Sequence, residues 1–406
     1  MSDADGKDGH RAATRLVEAG RRREWLGVPG QPGGVVNPPV WRASTHLYEN
    51  CADLAKGRPN EDGHFYYGRR GGPTQWALAD ALTGLEPGAE GTELFPSGVA
   101  AIAATLLALL RPGDEVLFTD NAYEPTRNIA LGLLRQYGVS ARAFDPLDPA
   151  GFAAMIGPAT KVVMLENPGS LTMEVCDIPA LAAIARERGV ISVLDNTWAT
   201  PLGFPALQRG CDVSLMSLTK HVGGHSDLMM GSVSAAAPLL ARIRRQAQML
   251  GQVVSPDDAA LALRGLRTMG LRLERSTASA FQVATWLAAR PEVAAVLCPM
   301  LPGAPGHELW QRDFTGGCGL FSFVLRDGDV AARARFIDAL TLFGIGFSWG
   351  GYESLVIPFD PTAIRGARVW PPGVTEGFGV RLSIGLEHPE DLIADLAGGF
   401  QAMGNA

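Results

Sequence analysis

Asp212-Val-Ser-Leu-Met-Ser-Leu-Thr-Lys220-His-Val-Gly-Gly-His-Ser-Asp227 is an apolar, strand-like run that ends in a small-polar and glycine-rich turn. A second apolar run, Val190-Ile-Ser-Val-Leu-Asp195, ends in a carboxylate. The carboxyl ends of neighbouring parallel strands meet at one edge of a sheet, so we expect Asp195 and Lys220 to lie close together. Lysine is otherwise scarce, since the 35 Lys and Arg residues include only Lys7, Lys56, Lys161 and Lys220.

A lysine and a carboxylate placed in this way suit pyridoxal phosphate (PLP). The lysine amine holds the aldehyde of this cofactor as a Schiff base, and the carboxylate keeps its pyridine nitrogen protonated. Taken singly, each residue has an ordinary alternative, because strand-end Asp residues often cap helices and Lys residues usually lie on the surface. Together, on two apolar strands and with glycines after Lys220 that allow close approach, the pair favours a PLP site.

The composition narrows the class of protein. At 406 residues with 47% hydrophobic residues, the chain is long enough for two domains. A net charge of −7 argues against nucleic acid or an anionic membrane surface as the main partner. Five scattered cysteines without a C-x-x-C motif, and no basic-then-apolar start, predict reduced thiols in a cytoplasmic protein. The longest apolar run, 100–110, is too short to cross a bilayer and predicts a buried helix.

The chain divides into three parts. Residues 1–70 are rich in Gly, Pro and Arg and predict an irregular N-terminal arm. From 71 to 256, short β-rich runs alternate with helix-like stretches, which predicts an α/β large domain with a mostly parallel, doubly wound sheet. Residues 257–406 predict a smaller C-terminal α+β domain that begins with a long linking helix over about 257–290.

The individual elements follow from local patterns. The predicted strands are Glu115–Thr119, Lys161–Glu166, Val190–Asp195, Asp212–Ser217 and Leu320–Leu325. A helix that begins near Asp177-Ile-Pro179 and ends at Arg188-Gly189 has proline at its start and glycine just past its end. A further helix is predicted over 331–342, and Ala280, Ala284 and Leu287 share one face of the linking helix.

Phe95-Pro-Ser97-Gly98-Val99-Ala100 opens an apolar helix and is a candidate phosphate site. A helix N-terminus with Ser and Gly presents free N–H groups to an anion. Ser97 is also an ordinary N-cap residue, so the segment alone is a weak signal. Ser217 and Thr219, which flank the end of the Lys220 strand, add two hydroxyl groups that could reach the same phosphate.

Three other segments offer groups for binding. Tyr123, in Asn121-Ala-Tyr123-Glu-Pro, could stack on a pyridine ring or pack at an interface. Tyr67-Gly-Arg69-Arg-Gly is a Gly-Arg turn, suited to a phosphate or carboxylate or else a solvated basic loop. Arg381 lies in an apolar, strand-like segment, where a substrate α-carboxylate or a structural salt bridge would accompany it.

His221 and His225 have the spacing of helical metal ligands, but the glycines between them argue against a helix. No further set of ligands converges on them in the sequence. We therefore predict that the protein has no metal site.

These segments, with several others, resemble the Cys/Met-metabolism family of fold-type I PLP-dependent enzymes, and most closely its bacterial cystathionine β-lyases, over about residues 35 to 400. The motifs occur in order along the chain. They are Tyr67-Gly-Arg69-Arg-Gly, Asn121-Ala-Tyr123-Glu-Pro, Pro168-Gly-Ser170-Leu-Thr-Met-Glu-Val175, Asp195-Asn-Thr-Trp-Ala199, Thr219-Lys220 with Gly224-His-Ser-Asp227, Gly265-Leu-Arg-Thr268, Gly316-Gly-Cys-Gly-Leu-Phe-Ser322, Ser348-Trp349-Gly-Gly-Tyr-Glu-Ser354 and Arg381-Leu-Ser-Ile-Gly-Leu-Glu387.

The resemblance implies an aspartate aminotransferase-like fold and a cofactor, PLP. It implies catalytic roles for Lys220, Tyr67, Tyr123 and Asp195, and cofactor binding by those residues together with Arg69, Ser97, Gly98, Val99, Ser217 and Thr219. It also implies that Ser348, Trp349, Arg381 and Tyr123 bind a sulfur amino acid. In the family the N-terminal arm reaches a neighbouring subunit, so Tyr67 and Arg69 are expected to serve the partner's site in a homotetramer built as a dimer of dimers.

Two positions favour β-elimination over γ-elimination. The γ-enzymes of the family usually have Asn where Ser170 stands in Glu166-Asn-Pro-Gly-Ser170-Leu, and commonly have Leu where Trp349 stands. We therefore expect cleavage of L-cystathionine to L-homocysteine, pyruvate and ammonia. Asn128 and Phe347 depart from the β-lyase pattern, which has Asp and Tyr there. Other cysteine S-conjugates, γ-cleavage and a non-catalytic binding protein remain alternatives.

Overall fold

A computed structural model of the chain describes residues 10–28, 30–57, 63–361, 365–367 and 378–404. Its first sheet has seven strands in the order β1-β7-β6-β5-β4-β2-β3. β7 is antiparallel to both neighbours, and the remaining pairs are parallel. The strands are β1 Gly91–Phe95, β2 Glu115–Thr119, β3 Ser140–Phe144, β4 Thr160–Glu166, β5 Ile191–Asp195, β6 Val213–Ser217 and β7 Gly231–Ala235.

A second, smaller sheet of five strands follows, in the order β10-β11-β12-β9-β8. β10 pairs with β11 in parallel, and the other pairs are antiparallel. Its strands are β8 Val293–Leu297, β9 Leu320–Leu325, β10 Gly344–Ile345, β11 Leu355–Phe359 and β12 Phe378–Ser383. The predicted fold class, a mostly parallel α/β sheet joined to a smaller α+β domain, is therefore confirmed.

Helices fill the connections and the ends of the chain. The α-helices are Ala12–Glu18, Arg23–Leu26, Cys51–Ala55, Pro73–Leu85, Gly98–Leu109, Glu124–Asn128, Leu134–Gln136, Pro149–Met155, Ile178–Glu187, Thr200–Gly203, Ala237–Met249, Pro256–Arg267, Met269–Ala288, His307–Asp313, Val330–Asp338 and Pro389–Gly404. Gly68–Arg70 forms a 3₁₀ turn and Ile129–Leu133 a π-helical turn. None of these helices is long and apolar enough to cross a membrane.

Both faces of the seven-stranded sheet are covered, which explains why a central strand such as β2 is buried along its whole length. In β2, Val116 and Phe118 pack into one core cluster with Ile102 of the helix Gly98–Leu109. Leu117 points the other way, into the main core cluster. With both faces buried, the polar ends of the strands provide the exposed functional edge.

Local signals account for several boundaries. Ser97 accepts a hydrogen bond from Ala100 N and begins the helix Gly98–Leu109, which the apolar run from residue 100 predicted. Asp177 accepts one from Ala180 N and begins the helix Ile178–Glu187. The predicted strands agree with the observed ones to within a residue at each end.

Two expectations need correction. The linking helix predicted over about 257–290 is two helices, because Thr268 leaves the helical conformation (φ −107°, ψ 5°) between Arg267 and Met269. The arm is not wholly irregular, since it contains Ala12–Glu18, whose last carbonyls accept hydrogen bonds from the Arg267 guanidinium. Residues 1–9, 29 and 58–62 of the arm lie outside the described part of the chain.

Candidate active site

Lys220 and Asp195 lie at the same edge of the seven-stranded sheet, as expected. Asp195 is the last residue of β5, and Lys220 follows the neighbouring strand β6. The Lys220 amine donates a hydrogen bond of 2.8 Å to Ser348 Oγ and lies 5.4 Å from the centre of the Trp349 ring. Burial, and then the positive charge of Arg381, lower the pKa of Lys220 to about 8. This amine can therefore exist uncharged near neutral pH.

Asp195 is buried, and its carboxylate is held by a single neighbour. Oδ1 accepts hydrogen bonds from Thr197 N (3.1 Å) and Thr197 Oγ1 (2.5 Å). Burial raises the pKa of Asp195, although Thr197 and the charge of Lys220 oppose that change. A cation placed against a buried carboxylate stabilises its charge. A protonated pyridine nitrogen would be such a cation.

Glu166 is a functional residue that the sequence reasoning missed. It ends β4 beside Asp195, with which it pairs in register. Its Oε2 accepts a 2.6 Å hydrogen bond from Tyr123 N, so it holds the segment that carries Tyr123. Burial, and then the charge of Asp195, raise the pKa of Glu166 well above its usual range. The available signal was the one used for Asp195, a carboxylate at the end of an apolar strand.

The candidate phosphate site is assembled by close packing of a helix end on β6. A Cβ on Gly98 would lie 2.8 Å from Ser217 Cβ, and one on Gly231 would lie 2.4 Å from Ser97 O. Only glycine therefore allows Ser97, Gly98 and Ser217 to meet. The helix that starts there directs its first N–H groups toward the same point.

Thr219 and Val99 complete the candidate phosphate residues. The Thr219 hydroxyl already bonds to Met230, accepting from its N–H at 3.0 Å and donating to its carbonyl oxygen at 3.3 Å. Val99 is exposed in the first turn of the helix. Their roles in cofactor binding stay predictions.

Tyr123 stands at the start of the helix Glu124–Asn128, with 43% of its surface exposed. Burial of the rest, and then the negative charges of Glu166 and Asp195, raise the pKa of its hydroxyl. The ring is therefore close to the two carboxylates and still open on one side, as a stacking partner for a planar ring must be.

Arg381 lies on β12, between Ser322 of β9 and Ile357 of β11. Its Nη2 donates to Ser348 O at 2.8 Å, while its buried Nε has no partner among the described residues. Burial lowers its pKa to about 10. A buried guanidinium with a donor to spare is suited to a carboxylate, because an anion would satisfy both its charge and its hydrogen bonding, and the role of Arg381 in substrate binding stays a prediction.

Ser348 and Trp349 connect the two halves of the site. Ser348 has a left-handed backbone (φ 85°), which aims its hydroxyl at Lys220 while its carbonyl faces Arg381. The Trp349 ring lies 5.2 Å from that of His221. The structure thus brings Lys220 together with Ser348, Trp349 and Arg381, which lie 128 or more residues further along the chain.

Tyr67 and Arg69 do not join this group within one chain. Tyr67 is 45% exposed, and the Arg69 guanidinium lies 5.9 Å from its ring. Gly68 N, between them, donates to Ser44 O at 2.7 Å. Both side chains thus project from a turn of the arm, and a role at a neighbouring subunit's site stays a prediction.

The remaining candidates lie at the margin of the site. Phe347, next to Ser348, is 87% exposed, and Asn128 is exposed at the end of its helix. His221 is buried, which lowers its pKa to about 3, whereas His225 Nδ1 lies 2.8 Å from Gly223 O. Among the described residues, no group of three or more His, Cys, Asp or Glu side chains is arranged to hold a metal.

The donor set fits PLP. A lysine amine, a buried carboxylate with a raised pKa and a helix N-terminus packed on β6 lie at the carboxyl edge of the seven-stranded sheet. A guanidinium on β12 of the smaller sheet joins them through Ser348. A family profile described as "Cys/Met metabolism PLP-dependent enzyme" matches residues 13–401.

The chain belongs to the Cys/Met metabolism family of PLP-dependent enzymes.

Relatives in this family have closely similar sequences. The chain is 44% identical over 393 residues to "Cystathionine beta-lyase MetC" of Escherichia coli, covering 95% of this chain and 97% of the relative. It is 43% identical, with the same coverage, to the cystathionine beta-lyase of Salmonella typhimurium. A solved structure described as metB from Corynebacterium glutamicum has a TM-score of 0.84 and 30% identity, covering 96% of this chain and 97% of that one. The expected family, fold and PLP dependence are confirmed.

Proposed function

We propose that this protein is a carbon–sulfur β-lyase that cleaves L-cystathionine to L-homocysteine, pyruvate and ammonia. The observation that carries the proposal is the cluster of Lys220, Ser348 and Arg381, which places one proton-transferring amine beside one carboxylate-binding guanidinium. Relatives named for this activity, matched over nearly their whole length, support it. So do Ser170 and Trp349, at positions where the γ-enzymes usually differ.

The cofactor would be held by residues of the sheet edge. Ser97, Gly98, Val99, Ser217 and Thr219 would bind its phosphate, Lys220 its aldehyde, Asp195 its ring nitrogen and Tyr123 its ring face. Tyr67 and Arg69 of a neighbouring subunit would reach the phosphate. When bound, PLP supplies a sink for the electron pair left at the substrate Cα.

Substrate binding falls to the smaller domain. Arg381 would grip the α-carboxylate, using the Nε donor that has no protein partner. Ser348 and Trp349 flank this point and restrict the orientation of the amino acid. Because Ser348 contacts both Arg381 and Lys220, the distance between the bound carboxylate and the Lys220 amine is fixed.

Lys220 would carry the proton. With a pKa near 8, its amine removes the proton from Cα when neutral. The Cβ–S bond then breaks, its electrons leave with sulfur, and the thiolate takes a proton from Lys220 or Tyr67. The released 2-aminoacrylate hydrolyses to pyruvate and ammonia. Asp195, held by two hydrogen bonds from Thr197, would keep the ring nitrogen of the cofactor protonated.

We further propose a cytoplasmic homotetramer that binds neither nucleic acid nor membrane, with domain boundaries near residues 70 and 256. Shared sites are supported by the position of Tyr67 and Arg69 on a turn of the arm, where Tyr67 is 45% exposed and available to a neighbouring subunit. Size measurement by light scattering distinguishes the tetramer from a dimer.

The deciding experiment is product analysis after incubation with L-cystathionine. Homocysteine, pyruvate and ammonia are expected. Cysteine with 2-oxobutyrate would mean γ-elimination and would contradict the inference from Ser170 and Trp349. A PLP-loaded protein that forms no product would favour a second candidate, a β-lyase for other cysteine S-conjugates, because Asn128 supplies no carboxylate for a distal ammonium group.

A further inference from the structure

Arg365, Gly366 and Ala367 form a tripeptide that belongs in sequence to the small sheet, between β11 and β12. The hydrogen bonds of the Arg365 side chain and of the Gly366 and Ala367 N–H groups nevertheless reach the large domain. They end on two loops at the carboxyl edge of the seven-stranded sheet, after β2 and after β4. The tripeptide therefore joins the two domains next to the candidate active site.

The Arg365 guanidinium fastens the loop after β4. Nη2 donates to Ser170 O at 2.6 Å and to the Thr172 hydroxyl, and Nε lies 3.4 Å from Glu174 Oε1. The side chains of Arg365 and Glu174 are 2% and 4% exposed. A charge buried to this degree is costly without its partners, so the guanidinium holds the loop in one conformation.

That loop requires an external restraint. Leu171 and Met173 both have left-handed backbones, with φ values of 67° and 58°, which are unfavourable for such side chains. Thr172, between them, donates to Glu174 Oε2 at 2.7 Å and accepts from Arg365. The hydrogen bonds of Arg365 stabilise a loop shape that the local backbone disfavours.

Asp120 fastens the other loop to the same tripeptide. Its buried carboxylate accepts hydrogen bonds from Gly366 N at 2.9 and 3.1 Å and from Ala367 N at 2.8 Å. Asp120 directly follows β2 and precedes the segment that leads to Tyr123. Arg365 therefore binds the loop after β4, and Gly366 and Ala367 bind Asp120. Asp120 lies three residues before Tyr123, the candidate ring-stacking residue.

The loop after β2 and the loop after β4 meet at Asn121, two residues before Tyr123. Ser170 N donates to Asn121 O at 2.8 Å, and a Cβ on Gly169 would lie 2.3 Å from Asn121 Nδ2. A shift of the loop after β4 would therefore move Asn121, and with it the backbone that carries Tyr123.

We propose that Arg365 is a positioning residue that sets the place of Tyr123 relative to Arg381, by fastening the segment between β11 and β12 to the loops at 120–123 and 169–174. Arg381 lies on β12, 14 residues after Ala367 in the chain. The inference rests on the proposed function, because it assigns Tyr123 and Arg381 to one substrate.

The test uses the PLP-loaded protein and glycine, an amino acid that has no Cβ and therefore no group to eliminate, and its binding is followed by the cofactor's absorbance. Arg365→Gln is expected to raise the glycine Kd about tenfold, with the PLP content unchanged. Arg365→Lys should recover part of the affinity, since it keeps the charge but not the forked donors. Hydrogen exchange in 120–124 should become faster in Arg365→Gln.

Arg333→Gln is the matched control. Arg333 donates to Phe359 O at 2.6 Å and to Gly379 O at 3.3 Å, so these two hydrogen bonds connect it to β11 and β12 of the small sheet. This variant should bind glycine as the wild type does. A glycine Kd for Arg365→Gln within about twofold of the wild type, or an equal loss in Arg333→Gln, overturns the proposal.

Thr172→Val provides a milder change if Arg365→Gln fails to fold. It removes the hydroxyl that accepts from Arg365 and donates to Glu174, and should raise the glycine Kd about threefold, whereas an unchanged Kd would count against the proposal. A wild-type protein that binds glycine but does not cleave cystathionine would refute the proposed cleavage of cystathionine alone. The glycine titrations would still decide the role of Arg365.

Discussion

The amine of Lys220 lies 2.8 Å from the hydroxyl of Ser348, which is 128 residues further along the chain. The same serine accepts a hydrogen bond from Arg381 through its carbonyl oxygen. One residue of the small domain therefore fixes the separation between the group that would transfer the proton and the group that would hold the carboxylate. Its left-handed backbone, φ 85°, is what allows both contacts.

Replacing Ser348 with Ala should lower kcat/KM about tenfold, because a hydrogen bond to a charged amine is lost. The hydroxyl accepts from Lys220 and so favours the ammonium form. Its loss lowers the lysine pKa below the present value of about 8. The rising limb of the pH–rate profile should therefore move to lower pH.

Ser348→Gly separates the hydroxyl from the backbone effect, because glycine tolerates a positive φ. The two variants should share the shifted pH limb. An Ala variant with wild-type kinetics and an unmoved limb would show that Ser348 does not act on Lys220.

Lys220→Ala should abolish turnover and the cofactor–lysine absorbance. Lys161→Ala should retain both, because the Lys161 amine bonds to Pro158 O at the surface.

The burial of Glu86 predicts a pH dependence of stability that is independent of catalysis. It is buried beneath the sheet, where Oε2 accepts from Ser214 Oγ at 2.7 Å and Oε1 from Leu207 N at 3.2 Å. Burial raises its pKa to about 7 from 4.5. Between those values the folded state binds more protons than the unfolded state, so this group makes stability fall as pH rises from about 4.5 to 7.

Glu86→Gln should therefore raise the free energy of unfolding by about 2 kcal/mol at pH 8 and by little at pH 4.5. Urea unfolding at the two pH values measures the difference. Glu187→Gln, at an exposed position, is the control and should change neither value. Equal effects of Glu86→Gln at both pH values would mean that Glu86 is ionised to the same extent when folded and unfolded.

Much of the site could be predicted from sequence, because it depends on where apolar strands end. Asp195 and Lys220 were found in that way. β1, β3 and β7 were not, since runs such as Gly231-Ser-Val-Ser-Ala235 carry few large apolar residues and are recognised only by their neighbours in the sheet. The contact of Arg365 with Glu174 spans 191 residues and has no local signal at all.

The resemblance supplied what local patterns could not. Ser348 and Trp349 lie in a loop without periodicity, and their approach to Lys220 depends on how the two sheets pack. Glu166 was overlooked although its strand was predicted, because its importance comes from the Tyr123 N–H that it accepts. Thr268 broke the predicted linking helix through its backbone conformation, which no single residue type dictates.

The shared-site arrangement predicts complementation between subunits. Arg69→Ala should weaken cofactor retention at the neighbouring site, and Lys220→Ala should inactivate its own. After the two inactive variants are unfolded, mixed in equal amounts and refolded, about a quarter of the wild-type sites should be restored, since a site then needs one intact residue from each subunit.

The measurement is PLP-dependent turnover of the refolded mixture. Each variant refolded alone is the control and should stay inactive or cofactor-poor. Mixed oligomers that form, as shown by differential tagging, but recover no activity would mean that Arg69 and Lys220 serve the same subunit.

Asn128 tests substrate choice. It ends the helix that begins at Tyr123, is exposed, and stands where the resembling β-lyases have Asp. A carboxylate at this position would attract the distal ammonium group of cystathionine. Because the pair would be exposed to solvent, the interaction would contribute about 1 kcal/mol to the binding free energy. Asn128→Asp should therefore raise kcat/KM for L-cystathionine about fivefold, through a lower KM. The kcat/KM for S-methyl-L-cysteine, which lacks a distal ammonium, should stay unchanged.

The gain with L-cystathionine should shrink at high salt, because exposed charges are screened. Equal changes for both substrates would show that residue 128 acts on the fold of the helix and not on the distal charge.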